Sequence, residues 1–574
     1  MAEIANSELQ PTLTVLLDEA YEQRIQHDPW SAKRFDGPNH GFAFPDRISS
    51  ARYPFPSNTE HRTILKNNSE QLLRDIGQLS TDGMVATDEQ LVAQRVAIGV
   101  RMQLGLMENT DPLRPIDHSP WTPLTEVLAD FGRSSYSEKD LAGIMECAHG
   151  FSEWADHAVD AMQEGKQRKD VQPATVIEAT LTQLRTLIGG RLHELCMAPL
   201  GKAITDVPES LKSSYSDSIK KDMLDSYSRM ESYLREEYAP YCRDDARPGL
   251  CHLPDGRSQY ERLLAYTCAD ESATPEGVYS QAEARYHAAE NDLRKIAYNN
   301  DFTVAGLMQY LKSASVFQIS SAGQLQKQFE QRLRQLWEYL PALFHEQDIP
   351  KDQCEVYLLE TQASLATYEN NGTQGRITLP DTKLSSFTVN DISRIAAHEG
   401  VPGHHLQLTR QLGGTGTHAY LDHFVPVPIF REGWAMYAES LPDEMGIPLN
   451  DFERAALLSA ELSIARGVML DVALHHNGIS VRDARAMRAA MHGYEIDDAA
   501  QADVLRFIGW PGQVLSYTGG FVMKDYRRFA QRSLGSLFDA RDFHGFILQA
   551  GEIPLPLLGK LLGQWVTSRN TQGI

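Results

Sequence analysis

Apolar residues recur at three- and four-residue spacing, with charged residues between them, over Asp222 to Tyr238, Tyr279 to Ile296, Leu325 to Leu340 and Asp451 to Leu474. That period is the signature of long amphipathic helices with one buried face, and it predicts a mainly α chain. One stretch departs from it. Thr373-Gln374-Gly375-Arg376-Ile377-Thr378-Leu379 alternates weakly and is followed by Pro380, which predicts a short strand. The run from Arg243 to Gly249 reads as a turn or linker. It divides the chain into an expected N-terminal helical lobe, residues 1–245, and a C-terminal lobe, residues 246–574. The stretch from Gly413 to Thr417, rich in Gly and Thr, predicts a mobile loop.

The helical pattern also frames the chain's most distinctive chemistry. Ile392, Ile395 and Ala396 give an apolar helical face that Asn390 or Asp391 could cap, and His398 and Glu399 fall on its last turn. There follow Gly400-Val401-Pro402-Gly403-His404-His405 and, further on, Arg431-Glu432-Gly433-Trp434. A metal that splits amides needs imidazole and carboxylate ligands, an open position for water, and a second carboxylate to take that water's proton. The usual His-Glu-x-x-His form sets two imidazoles on one helical face, but here Pro402 occupies the second histidine's place. At ~100° per residue, His404 would lie roughly 120° round an unbroken helix, and His405 within ~20° but two turns away. Pro402 removes an N–H and disfavours helix at Val401, while Gly400 and Gly403 add freedom. One helix is therefore expected to end near Glu399 and another to start at Pro402. Either His404 or His405 could then turn back to a metal. Downstream, Gly433 to Glu439 should be helical, with Glu432 and Glu439 two turns apart on one face. One of the two can be a ligand and the other can accept the spare N–H of a ligating imidazole.

Composition narrows the partners. The chain has 574 residues, a formal charge of −23 and a pI near 5.3. That charge argues against nucleic acid, whose phosphates call for basic patches. No apolar run approaches the ~18 residues of a membrane span, and the N-terminal residues lack a basic start and an apolar signal core. A cytoplasmic protein with no membrane partner is the expectation. The six Cys, at 147, 196, 242, 251, 268 and 354, are scattered without Cys-x-x-Cys pairing, which predicts free thiols.

His398 to Gln407 and Arg431 to Glu439 together resemble the signature of the bacterial family known as domain of unknown function 885. Gly249-Leu250-Cys251-His252-Leu253-Pro254-Asp255-Gly256, with Tyr260 and Thr274-Pro275-Glu276, resembles its middle region. Pro511-Gly512-Gln513-Val514-Leu515-Ser516-Tyr517 resembles its C-terminal motif, which continues to Arg528. The resemblance implies a two-lobed helical fold with a central cleft and a small β element near the site, similar to thimet oligopeptidase, angiotensin-converting enzyme and thermostable carboxypeptidase. It implies His404 over His405 as the second ligand, Glu432 as the third, and Tyr517 as donor to the oxyanion. Zinc is the expected metal, although manganese, cobalt or nickel suit the same donors.

These readings converge on a zinc hydrolase that cleaves a short peptide or small amide. Glu399 is the expected base, and His423 or Arg528 would anchor a substrate carboxylate. Taken singly, His423 reads as a satisfied or surface histidine and Arg528 as half of a surface ion pair. Two other classes fit the same residues: a metal-dependent hydrolase or lyase of a non-peptide metabolite, and a metal-free peptide-binding protein.

Overall fold

The computed structural model describes residues 13–27, 59–81, 89–119, 122–131, 135–359, 366–370, 375–381, 384, 387–412, 418–492 and 498–572. The Gly413–Thr417 stretch lies outside them, as do Thr373 and Gln374 of the expected strand.

The four periodic stretches are helical. Thr274 accepts the Gly277 N–H and Pro275 takes the first helical position, where a missing donor costs nothing, so Pro275–Asn299 starts sharply. Ser321 caps Ala322–Tyr339 through Gln324 N–H, and Leu325, Phe329, Leu333 and Leu336 form its buried stripe. Asn450 and Glu453 make a reciprocal capping box at the start of Asp451–Val472. That helix continues through a wider turn to Gly478, which ends it at φ +79°. The 222–238 stretch is one helical run whose middle, Asp225–Tyr233, is α and whose flanks, Ile219–Leu224 and Leu234–Tyr238, are π-helical. The Arg243–Gly249 linker is an irregular turn, in which Arg247 pairs with Asp244 at 3.0 Å.

Several cores hold the chain. One lies within residues 116–242, where Trp154, Phe151, Tyr215, Tyr227 and Tyr238 are buried around the long Glu138–Arg168 helix. The largest joins the helices after residue 250 and encloses the metal motif. A third unites Leu13–Tyr21 and Val96–Val100 with Tyr420–Val425. The described helices among the first hundred residues therefore pack on the C-terminal half, apart from the 116–242 core. All six cysteines are free thiols. No helix among the described residues is long and apolar enough to cross a membrane.

The non-helical stretch forms a three-stranded sheet of β1 (Glu355–Leu359), β2 (Thr367–Asn370) and β3 (Gly375–Pro380), ordered β1-β3-β2. β3 runs parallel to β1, with Val356 opposite Ile377, and antiparallel to β2, with Tyr368 opposite Ile377. The expected strand is thus central, with partners on both sides. Only β1 and β2 are edges, and β1 is covered where Gln326 Nε2 donates to Val356 O at 2.9 Å.

Candidate metal centre

The helix that carries His398 spans Asp391–Glu399 and buries Ile392, Ile395 and Ala396 as its spacing predicts. Its start differs from expectation. Asn390 makes no side-chain cap, and Asp391 instead accepts the N–H and hydroxyl of Thr388 at 3.1 and 2.8 Å. The chain then turns through Val401–Pro402–Gly403, with a cis Val401–Pro402 bond, and the next helix begins at His404 rather than Pro402. Gly403 lies hard against the end of the first helix: a Cβ there would sit 2.0 Å from His398 O and 2.3 Å from Ala397 O. Gly403→Ala is therefore expected to cost about 3 kcal/mol or more, since backbone has to shift to admit the methyl. A lowered urea midpoint, with weaker metal binding, is the check.

This crossing turns His404 back over His398. Their rings are 4.9 Å apart at 90°. The third side comes from Pro428–Ala438, where Glu432 Oε2 approaches His398 Nε2 to 3.6 Å and His404 Nε2 to 4.0 Å. The potential donor atoms of His398, His404 and Glu432 all lie within 4.8 Å of one another, the one such trio of metal-ligating side chains among the described residues. Two imidazoles and one carboxylate with space between them are the donor set of a catalytic zinc site, which keeps a position open for water. The residues fit the metal.

Glu439 sits just past that helix, fully buried, and accepts His398 Nδ1–H at 2.8 Å and Arg394 Nη1–H at 3.3 Å. It thereby points His398 Nε2 at the cluster. Arg394, one turn before His398, was not picked out by motif; the i, i+4 spacing was its signal. His404 is set by Gln407, whose Oε1 lies 3.5 Å from His404 Nδ1. His405 is turned elsewhere: its Nε2 lies 2.7 Å from Asp352 O and its Nδ1 2.9 Å from the Tyr368 hydroxyl on β2. With both ring nitrogens engaged, His405 leaves the ligand set and instead ties β2 to the histidine helix.

The glutamate helix is anchored at its middle and at its start. Trp434 Nε1–H donates to Pro402 O at 2.8 Å, which fixes it against the crossing turn. At its start, the fully buried Glu552 accepts Val427 N–H at 2.5 Å and Arg431 Nη2–H at 2.8 Å. Burial raises the Glu552 pKa, but Arg431 and Arg95 more than offset this and hold it below its ordinary 4.5. A depressed carboxylate contributes stability above its unfolded pKa and loses it as pH falls through the folded value. Glu552→Gln is expected to cost about 3 kcal/mol at neutral pH, because Arg431 loses its buried partner. The loss should shrink toward zero in denaturant melts as pH falls below 4.5.

Midway along, Gly433 meets Gly519, where a Cβ on Gly433 would lie 2.6 Å from Gly519 Cα. This close approach brings Tyr517 to the cluster. Burial raises its hydroxyl pKa to about 12, and the charges of Glu432 and Glu399 push the same way. Gln513 Nε2–H donates to the Tyr517 hydroxyl at 3.2 Å. The 511–517 motif is held from behind by buried Asp471, which accepts Gly512 N–H at 2.9 Å and the Tyr260 hydroxyl at 2.6 Å.

Electrostatics separate the roles. Burial would lower the His398 pKa, but Glu432 and Glu439 raise it to about 10. Burial lowers His404 to about 4, against the pull of Glu432. Burial raises Glu399 to about 7, with His398 opposing and Glu432 and Glu439 adding to the rise. A carboxyl near neutrality suits proton transfer.

The remaining predicted residues lie elsewhere. Arg528 is half exposed on Gly519–Leu534 and pairs with Asp525, so it does not reach the cluster. His423 packs on Tyr21, whose hydroxyl lies 3.2 Å from its Nδ1, and lines a separate cavity.

Solved structures of candidate lipoproteins share this fold. A candidate lipoprotein from Colwellia psychrerythraea superposes with a TM-score of 0.82 at 18% identity, over 97% of this chain and 99% of that one. A candidate lipoprotein of unknown function from Shewanella oneidensis does so with a TM-score of 0.72 at 13% identity, over 96% and 100%. Metallocarboxypeptidase 1 of Trypanosoma cruzi aligns over 97% of this chain and 91% of its own, at 11% identity and a TM-score of only 0.35. No curated protein matches the chain. The family described as bacterial protein of unknown function (DUF885) matches residues 49–562, nearly the whole chain, and this chain belongs to that family.

Proposed function

We propose that the protein is a zinc-dependent hydrolase of peptide or related amide bonds. The observation that carries this reading is the convergence of His398, His404 and Glu432 from two crossing helices and a third, with Glu399 next to the first ligand. Zinc bound there supplies a Lewis acid and lowers the pKa of a coordinated water toward ~7.

The chain's own residues supply the rest. Glu399 takes the proton of the attacking water and delivers it to the leaving nitrogen. Its burial keeps that carboxyl out of competing hydrogen bonds with bulk water. Glu439 and Arg394 keep His398 in the required tautomer and orientation. Tyr517, protonated at neutral pH, donates to the oxygen on which negative charge develops. The edge strand β2, tied to the site through Tyr368 and His405, offers main-chain groups to an extended substrate.

Tyr517→Phe is expected to reduce kcat about 10²-fold with little change in KM, because the donor acts on charge absent from the ground state. Steady-state kinetics on any cleaved amide measures it. The function itself is tested by incubating zinc-loaded protein with a mixed library of short peptides and acylated amines and reading products by mass spectrometry. Cleavage by the wild type that is missing in Glu399→Gln supports the reading. Intact peptides and amides throughout would sink it.

A further inference from the structure

A cavity of about 660 Å³ is lined by residues between Arg24 and Asp117 and by others between Arg243 and Pro511, with Gln172 also in its wall. Its walls include Arg62, Arg114, Arg243, Asp111, Asp117 and Trp510, and none of His398, Glu399, His404, Glu432 or Tyr517. The volume lies in the range of small-molecule sites, which pair an apolar wall with a few placed polar groups. Leu106, Leu263, Tyr266 and Trp510 supply the apolar wall.

The arginines differ in how they are neutralised. Arg114 is paired with the buried Asp170. Arg62 and Arg243 are held by carbonyl oxygens instead. Arg62 Nη2 donates to Met107 O at 2.6 Å and Asn109 O at 3.2 Å. Arg243 donates from Nε to Val171 O at 2.8 Å and from Nη1 to Arg247 O at 3.1 Å and to Gly249 O. Among the described residues Arg243 has no carboxylate partner and its Nη2 makes no hydrogen bond, whereas Arg62 also interacts with Asp111. Carbonyl oxygens fix the plane of a guanidinium but leave its charge uncompensated. Burial, with the neighbouring charge of Arg114, lowers Arg243 to about 10. Such a group on a cavity wall, in a chain of net charge −23, keeps the two N–H of Nη2 to donate a charge-assisted hydrogen bond to an incoming carboxylate.

The acids set the ligand's charge. Asp111 interacts with Arg114 and Arg62, so the uncompensated end is at Arg243. Asp111 and Asp117 face the same cavity and would repel a phosphate dianion more than a single carboxylate. We infer that this cavity binds a small apolar molecule ending in one carboxylate, anchored on Arg243. The site stands apart from the metal centre, although Phe424 and Pro426 in its wall lead into the glutamate helix and Pro511 leads into Tyr517.

Calorimetric titration of the full chain as purified, with N-acetyl-Phe-Leu, its C-terminal amide and phenyl phosphate, tests this. The expected result is binding of the acid at least about tenfold tighter than that of the amide, since a charge-assisted hydrogen bond from Arg243 Nη2 is lost. The phosphate ester should bind no tighter than the acid. Arg243→Gln should lose the preference for the acid. Leu263→Trp, which narrows the cavity without touching a guanidinium, should abolish binding and keeps the test open where Arg243→Gln does not fold. His398→Ala should bind as the wild type does, which separates this site from the hydrolase reading. No binding of the acid, equal binding of acid and amide, tighter phenyl phosphate, loss of binding in His398→Ala, or undiminished binding in Leu263→Trp would overturn it.

Discussion

Glu399→Gln is expected to lower kcat by about 10³-fold or more while leaving the metal in place, because proton transfer by a placed carboxylate contributes on the order of 10²–10⁴. The substitution keeps shape and volume and removes only basicity. Glu399 is not one of the converging donors, and it ends the helix that presents His398. Burial raises its pKa to about 7, a value that suits a group that must both take and return a proton near neutrality. If Glu399 were only structural, the amide would preserve turnover. Retained kcat on a cleaved substrate would therefore remove it from the reaction.

Metal removal should have the second large effect, on activity and stability together. Without a cation, Glu432 faces His398 and His404 at 3.6 and 4.0 Å, with Glu399 and Glu439 adding negative charge to the same small volume. A metal that binds only the folded chain stabilises it by about 4.1 kcal/mol when present at ~1,000 times its Kd. Dialysis against a chelator is thus expected to abolish turnover and lower the melting temperature, and zinc should restore both. The three donors must be deprotonated to bind, so uptake should weaken as pH falls. Unchanged melting after chelation, with no recovery on adding zinc, would show that these side chains are held together without a metal.

Much of this was legible in the chain. The long helices follow directly from apolar spacing, and the break at Pro402 could be read from proline's missing donor and its two flanking glycines. The choice between His404 and His405 could not. It depends on Asp352, whose carbonyl meets His405 Nε2 at 2.7 Å, and on Tyr368, whose strand is short and weakly patterned. The same weakness hid the sheet order: β3 announces itself, but its partners β1 and β2 do not, so its central place emerges only from pairing. Arg431 stood out in the motif without a reason. The reason is Glu552, more than a hundred residues away and marked by no local pattern. His423 and Arg528, the expected anchors of a substrate carboxylate, lie away from the metal cluster: His423 sits beside Tyr21, 402 residues away in the chain, and Arg528 pairs with Asp525 one turn before it.

The central claim is that His398, His404 and Glu432 hold a metal. The most direct measurement is zinc content after chelator-free purification of the wild type, His398→Ala, His404→Ala and His405→Ala. The account predicts close to one zinc per chain in the wild type and in His405→Ala, and almost none in His398→Ala or His404→Ala. A wild type that takes up no zinc even when it is supplied, or zinc retained by His398→Ala and His404→Ala but lost from His405→Ala, would contradict it.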